Sequence, residues 1–191
     1  MNSCKLCLKK NMGLENYPEA LRRISNLYLN KGDNNQAFEY LKKLADFYEL
    51  QEGFYLEKAD TYMNLADISC KNQDLGKAVK IYIKSLQNLT KGKPEDHEAH
   101  ANLTEMIYNL YKKLNQDEEA LRYCLDTIEM RKKVHGKESS QYMELIKQAA
   151  DLYLRMKNPK AALEYYKYYV DWVRKKPQMT NQEYQESLIC M

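Results

Sequence analysis

Glycine and proline are scarce in this chain, which argues against a fold made of many strands. Six glycines and four prolines are spread over 191 residues, so the many turns of such a fold would have little support. Lysine, glutamate, leucine, alanine and tyrosine dominate instead, and most of them favour or tolerate helix. The composition therefore predicts an all-α chain, and its 44% of hydrophobic residues can supply a continuous core.

The chain also lacks a marked excess of one charge and any long apolar run. Its 30 basic and 27 acidic residues are well mixed, whereas a nucleic-acid-binding surface needs clustered basic residues. No window approaches the roughly 18 consecutive apolar residues of a membrane span, and residues 1–10 contain no apolar run of the signal-peptide type. We therefore expect neither a nucleic-acid partner nor a membrane partner.

Cysteine is present in an odd number and at irregular spacing, which disfavours a disulfide framework. The five positions are Cys4, Cys7, Cys70, Cys124 and Cys190. This usage fits a reducing compartment. We therefore expect a cytoplasmic protein, with association with the cytoskeleton or a cilium as a narrower possibility.

One pattern recurs along the chain at intervals of 41, 42 and 42 residues. Its anchors are four alanines: Ala37, Ala78, Ala120 and Ala162. Ten residues before each anchor stands a leucine or isoleucine, and three residues after it a tyrosine or isoleucine. A fixed period of roughly 20–50 residues indicates an array of stacked repeats.

Each repeat is predicted to be a hairpin of two amphipathic helices. In the first repeat the apolar residues recur at helical spacing until Gly32-Asp33, where the glycine can end one helix and the aspartate can cap the next. Small residues at matching positions of the two helices, such as Ser25 and Ala37, let the backbones approach closely. Tyr108 replaces the small residue in the third repeat, so we expect a wider helix pair there or a tyrosine turned outward.

These features resemble the tetratricopeptide repeat family over residues 17–175. The resemblance rests on the small residue of the first helix, the Gly-Asp turn, the second-helix alanine and three Leu-Tyr pairs: Leu27-Tyr28, Leu110-Tyr111 and Leu152-Tyr153. The common family repeat has about 34 residues, and the longer repeat is similar to the kinesin light chain type. The resemblance implies a right-handed superhelical solenoid of four hairpins that binds a peptide or protein partner on its concave face, without enzymatic activity or a cofactor.

The periodicity also predicts how the chain is divided. Residues 14–175 form the array, with repeats at about 14–53, 54–94, 95–136 and 137–175. Residues 1–13 are interpreted as the tail of a partial helix, either a half-repeat that caps the array or part of a longer array. Residues 176–191 are expected to form a capping segment with one short helix.

Two polar columns on the first helices predict a binding groove. Eleven residues before the anchors stand Asn and Asp side chains, which can hydrogen-bond the backbone of an extended peptide. Seven residues before the anchors the column is mostly basic, and the helix dipole alone would favour cations there. The predicted groove comprises Arg22, Asn26, Asn64, Asp67, Asn109, Lys113, Asp151 and Arg155, and the alternative is that these are ordinary solvent-exposed helix residues.

The family resemblance adds two specific comparisons to this groove. Arg22, Asn26 and Asn64 match positions with which chaperone-binding members clamp a C-terminal carboxylate. The third repeat has Asn102 and Met106 where that clamp needs two basic residues. Asn64 also matches one of the paired asparagines that the kinesin light chain type uses for cargo peptides.

Aromatic residues are concentrated in the last predicted helix. Its tyrosines, Trp172 and valines can form a core beneath the C-terminal segment. Alternatively, Tyr168 and Trp172 provide an exposed aromatic contact for a partner or for a second copy of the chain.

No constellation in the sequence points to catalysis or to a metal. Cys4-x-x-Cys7 has no second ligand pair, and His97 with His100 has no evident third ligand. We therefore expect a non-enzymatic adaptor or scaffold that binds a protein or peptide. The alternative is a structural subunit of a large cytoskeletal or ciliary assembly, held through its ends and convex face, with self-association through the ends of the array.

Overall fold

A computed structural model describes residues 16–175, and every regular element in that range is an α helix. The predicted partial helix at 1–13, the C-terminal capping segment at 176–191 and the pair Cys4 and Cys7 lie outside the described residues. Eight helices follow one another in the described range: α1 Tyr17–Asn30, α2 Asn34–Glu49, α3 Tyr55–Lys71, α4 Leu75–Gly92, α5 His97–Lys113, α6 Asp117–His135, α7 Ser140–Arg155 and α8 Pro159–Lys175. The all-α prediction is confirmed.

The helices belong to two compact units, the first ending at Gly92 and the second beginning at Lys93. In the first unit α1 packs on α2, α2 on α3, and α3 on α4. In the second unit α5, α6, α7 and α8 pack in the same consecutive order. Each unit therefore contains two helix hairpins, and the second helix of one hairpin packs against the first helix of the next.

The anchor alanines lie where the two helices of each hairpin pack together. Ala37, Ala78 and Ala120 are completely buried, and Ala162 is buried as well. The small residues of the matching first-helix column, Ser25, Ala66 and Ala150, are also completely buried. The register derived from the repeat is thus confirmed, because a small side chain on each helix permits close packing of the two backbones.

Tyr108 is fully buried, so the expectation of an outward-turned tyrosine is wrong. The position four residues after the anchor alanine explains how the ring fits. That position holds Leu41, Tyr82 and Tyr166 in the other hairpins but the smaller Cys124 in the third. The large side chain of this hairpin is therefore carried by the first helix and the small one by the second.

The turn inside every hairpin has the same backbone conformation, with one residue of positive φ. That residue has φ between 55° and 76° and is Gly32, Gln73, Asn115 or Lys157. The residue after it donates its backbone N–H to a carbonyl five residues earlier, as in Asp33 to Tyr28 at 2.9 Å, which is the helix-ending bond of a Schellman motif. The predicted break at Gly32-Asp33 is confirmed, and the Asp33 side chain accepts from the Gln36 backbone N–H at 3.0 Å to begin α2.

Candidate functional site

In each unit, the first-helix face is the side of the first helices of the hairpins, α1 and α3 or α5 and α7, that carries the predicted groove residues. On α3, residues 60, 64 and 67 share this side because they stand four and seven positions apart. The Arg22 guanidinium on α1 contacts the Asp60 carboxylate on α3 at 2.9 Å. Arg22 and the α3 residues therefore lie next to each other across the two hairpins of the first unit.

This ion pair counts against a clamp for a C-terminal carboxylate in the first unit. The positive charge of Arg22 is already matched by Asp60, a residue that the sequence comparison did not include. Asn64 donates its side-chain amide to the backbone carbonyl of Asp60 at 2.9 Å, within its own helix. A carboxylate ligand would have to displace Asp60 from the guanidinium.

The column of Asn26, Asp67, Asn109 and Asp151 divides into two kinds of residue. Asp67 accepts a hydrogen bond from the Tyr82 hydroxyl, and Asp151 accepts one from the Tyr166 hydroxyl. Asn26 and Asn109 are exposed, and neither forms a side-chain hydrogen bond within residues 16–175. The two aspartates hold the two helices of their hairpins together, whereas the two asparagines are available to a ligand.

Whether the column holds an aspartate or an asparagine correlates with the residue fifteen positions later in the chain. Tyrosine stands there after each aspartate, and Leu41 or Cys124 stands there after each asparagine. Burial raises the pKa of Tyr82, and the hydrogen bond to Asp67 raises it further. The neutral tyrosine is thus the hydroxyl donor to the carboxylate.

The two basic groove residues of the second unit have different surroundings. Lys113 is exposed at the end of α5. Arg155 contacts the Asp117 carboxylate at 2.8 Å and donates to the Asn115 side chain at 3.3 Å. Arg155 therefore connects α7 to the turn between α5 and α6, and its charge is compensated.

Arg131 is the most strongly bound charged side chain on this face, and the sequence analysis did not include it. It extends from α6, and its side chain is only 9% exposed. Its guanidinium donates to Glu98 at 2.7 Å, to Asn102 at 2.8 Å and to Glu105 at 2.9 Å, all on α5. Burial lowers the pKa of Arg131, but the bonds and charges of Glu105 and Glu98 outweigh burial and raise the pKa above its usual value.

The repeat alignment contained a signal for Arg131. Eleven residues after the anchor alanines stand Tyr48, Leu89, Arg131 and Val173. The other three are buried apolar side chains. A single arginine in an apolar column needs nearby carboxylates, because an unpaired buried charge is unstable.

The two aromatic candidates on α8 differ in exposure. Trp172 is 8% exposed and donates its indole N–H to the Glu138 carbonyl at 3.2 Å, so it packs into the unit and presents no exposed ring. Tyr168 is 40% exposed and lies edge-on to Tyr142, with 6.5 Å between ring centroids. Tyr168 alone keeps the accessible surface that a partner contact needs.

The described residues contain little that suggests chemistry. Among residues 16–175, no group of three His, Cys, Asp or Glu side chains is placed to hold a metal ion. Burial raises the pKa of the Cys124 thiol to about 12, so this buried cysteine stays protonated near neutral pH. None of the described helices combines the length and the apolarity needed to cross a membrane.

Two family models match the chain, and both describe the tetratricopeptide repeat. One covers residues 18–49, which correspond to the first hairpin, and the other covers residues 109–141, from the end of α5 into α7. No curated protein sequence matches the chain.

Solved structures match the described architecture at low sequence identity. A putative kinesin light chain with nearly identical TPR-like repeats from Podosopora anserina has a TM-score of 0.64 at 14% identity, over 93% of this chain and 84% of that chain. BtubC (BKLC) from P. vanneervenii has a TM-score of 0.62 at 15% identity, over 98% of this chain and 75% of that chain. The apo form of RapI has a TM-score of 0.62 at 14% identity, over 90% of this chain and 61% of that chain.

These likenesses concern the fold, and they confirm the predicted all-α array of tetratricopeptide-like hairpins. The family models match at two separate repeats, and the described hairpins repeat the same buried alanine and the same turn. The chain therefore contains tetratricopeptide repeats, matched at residues 18–49 and 109–141, and repeats of this kind typically form non-enzymatic protein–protein interaction scaffolds.

Proposed function

We propose that this protein is a non-enzymatic adaptor that binds an extended peptide segment of a protein partner along its first-helix face. The observation that carries the proposal is the pair of exposed asparagines, Asn26 and Asn109, at equivalent positions of α1 and α5. A side-chain amide can donate to and accept from the backbone of an extended peptide, so it can bind peptides of many sequences.

The remaining groove residues have other roles in this proposal. Asp67 and Asp151 stabilise their hairpins through Tyr82 and Tyr166. Arg22 and Arg155 are paired with carboxylates and contribute shape more than free charge. A peptide would therefore contact mainly the asparagines, with Asn64 and Lys113 as further polar contacts.

A peptide-display experiment with the full chain tests this function. Random twelve-residue peptides are selected, and a selected peptide is then titrated by fluorescence anisotropy against the wild type and the Asn26→Ala/Asn109→Ala double variant. We expect binding to weaken about tenfold, the effect of losing one or two hydrogen bonds in an interface. Gln87→Ala, on the exposed part of α4, is the matched control and should bind as the wild type does.

Two outcomes would contradict the groove. The double variant could bind as tightly as the wild type, or the chain could select no peptide at all. The second outcome favours the alternative role, a structural subunit of a cytoskeletal or ciliary assembly, for which the exposed Tyr168 on α8 is the contact candidate. We place either role in the cytoplasm, in line with the cysteine usage.

A further inference from the structure

A cavity of about 320 Å³ lies on the first-helix face of the second unit, between α5 and α7. It has a polar wall and an apolar floor. A carboxylate of α5 and a carboxylate and two amides of α7 contribute to the wall, and the buried Leu145 contributes the floor. The residues that matter for its chemistry are Glu105, Arg131, Gln141, Glu144, Leu145 and Gln148.

The charges around the cavity are negative in balance. Arg131 is matched by both Glu98 and Glu105, and His135 lies 3.4 Å from Glu98 on the same side. Glu144 forms no ion pair within residues 16–175, and it accepts a 3.2 Å hydrogen bond from the Gln148 amide. Glu144 is therefore the carboxylate of this cavity whose charge is uncompensated.

Lys147, a cation on the same helix, forms no ion pair with Glu144. Lys147 follows it on α7, but the Lys147 ammonium lies 5.9 Å from the centroid of the Tyr169 ring. The guanidinium of Arg131 also makes a poor anion site, because both of its terminal nitrogens already donate to α5 side chains. The cavity thus favours a cationic group over a carboxylate or phosphate.

The cavity and its surroundings also have the shape that a long basic side chain needs. The methylene groups of lysine or arginine pack on apolar surface while the charged end reaches polar groups, and Leu145 provides such a surface beside Glu144. Met106, 40% exposed, lies on the same side of α5 as Asn102 and Asn109 and offers an apolar contact to the next peptide side chain.

We propose that this cavity binds a lysine or arginine side chain of the peptide ligand, with the charged end at Glu144 and the aliphatic part on Leu145. The proposal rests on the peptide-binding function above and adds the chemical class of the partner, a segment with a basic residue. Met106 would contact an apolar residue near it, and the exposed amide of Asn109 would bind the intervening backbone.

The test uses the peptides selected by the full chain. We expect the selected set to be enriched in lysine or arginine at one position, and acetylation of that lysine in a synthetic copy to weaken binding. Glu144→Gln should weaken binding of the unmodified peptide about two- to fivefold, as is usual for an exposed charge pair. It should leave binding of the acetylated peptide unchanged.

A matched variant separates this effect from a change in net charge. Glu164→Gln removes the same charge from an exposed site on α8, where the carboxylate lies 3.4 Å from Lys167, and it should bind as the wild type does. A selected set without basic residues would overturn the proposal, and so would equal loss of binding in Glu144→Gln and Glu164→Gln. In both of these outcomes the wild-type chain still binds the selected peptides. Selection of no peptide at all would instead contradict the adaptor function itself.

Discussion

The two units of the chain connect their neighbouring elements on the first-helix face with arginines of different burial. In the first unit Arg22 joins α1 to α3 through one carboxylate, and 38% of the Arg22 side chain is exposed. In the second unit Arg131 joins α6 to α5 through two carboxylates and one amide, and 9% of its side chain is exposed. An exposed ion pair contributes little to stability, whereas removing one partner of a buried network is costly.

From this difference in burial we expect the two units to differ as binding surfaces. The Arg22–Asp60 pair is open to solvent and can be rearranged by a ligand at small cost. The Arg131 network is fixed beneath the face, so the carboxylates of α5 keep their positions. A preformed wall of this kind lowers the ordering cost of binding, which suits the second unit to a defined side-chain contact.

The largest expected effect is the loss of the buried arginine. Arg131→Met should lower the free energy of unfolding of the second unit by about 2–3 kcal/mol, because its charge-assisted hydrogen bonds are lost while Glu98 and Glu105 stay partly hydrated. Arg22→Met should cost the first unit less than about 1 kcal/mol. The only tryptophan, Trp172, lies in the second unit, so urea unfolding by its fluorescence follows that unit while circular dichroism follows both. Equal costs for the two variants would show that burial does not distinguish the arginines.

An intermediate loss of stability is expected from breaking the aspartate–tyrosine hydrogen bond, which occurs in both units. Tyr82→Phe in the first unit removes the hydroxyl that donates to Asp67, and it should cost about 1–2 kcal/mol because the carboxylate loses a charge-assisted hydrogen bond. Asn26→Ala in the same column should change stability by less than about 0.5 kcal/mol, as exposed substitutions usually do. Thermal unfolding of the two variants measures the difference. A larger loss from Asn26→Ala would mean that the column has been divided wrongly.

The smallest expected effect concerns the turns and has the opposite sign. Gln73 and Lys157 have positive φ at equivalent turns, one in each unit. Replacing either by glycine should stabilise its unit by about 0.5–1 kcal/mol, because glycine adopts this conformation without steric cost. Urea unfolding checks the gain, with Gln87→Gly in the middle of α4 as a control that should destabilise. A loss of stability in both turn variants would show that their side chains contribute more than their backbone strain costs.

The repeated features of this fold were predictable from the sequence because each hairpin contains them again. The anchor alanines and the break at Gly32-Asp33 stand at fixed positions in aligned repeats. When the helices pack, the alanines become buried and the breaks become the turns of the hairpins. Both the register and the helical fold class follow from this recurrence.

The features that distinguish one repeat from another were less predictable. Arg131 reaches acceptors 26 to 33 residues earlier in the chain, so its network depends on how α6 packs against α5. Tyr108 is buried in the one hairpin whose second helix carries the small Cys124 four residues after the anchor alanine. Trp172 is buried, and its indole N–H donates to a backbone carbonyl 34 residues earlier in the chain. Such contacts depend on three-dimensional neighbours that no single column of the alignment contains.

The aspartate–tyrosine bond has a consequence for how such an array can grow. Both partners, for example Asp67 and Tyr82, belong to the same hairpin, fifteen residues apart. A gene segment encoding that hairpin carries the complete bond with it, so duplication or transplantation of the segment leaves no partner behind. Arrays of different length can therefore be assembled from this hairpin without redesigning its internal polar contact.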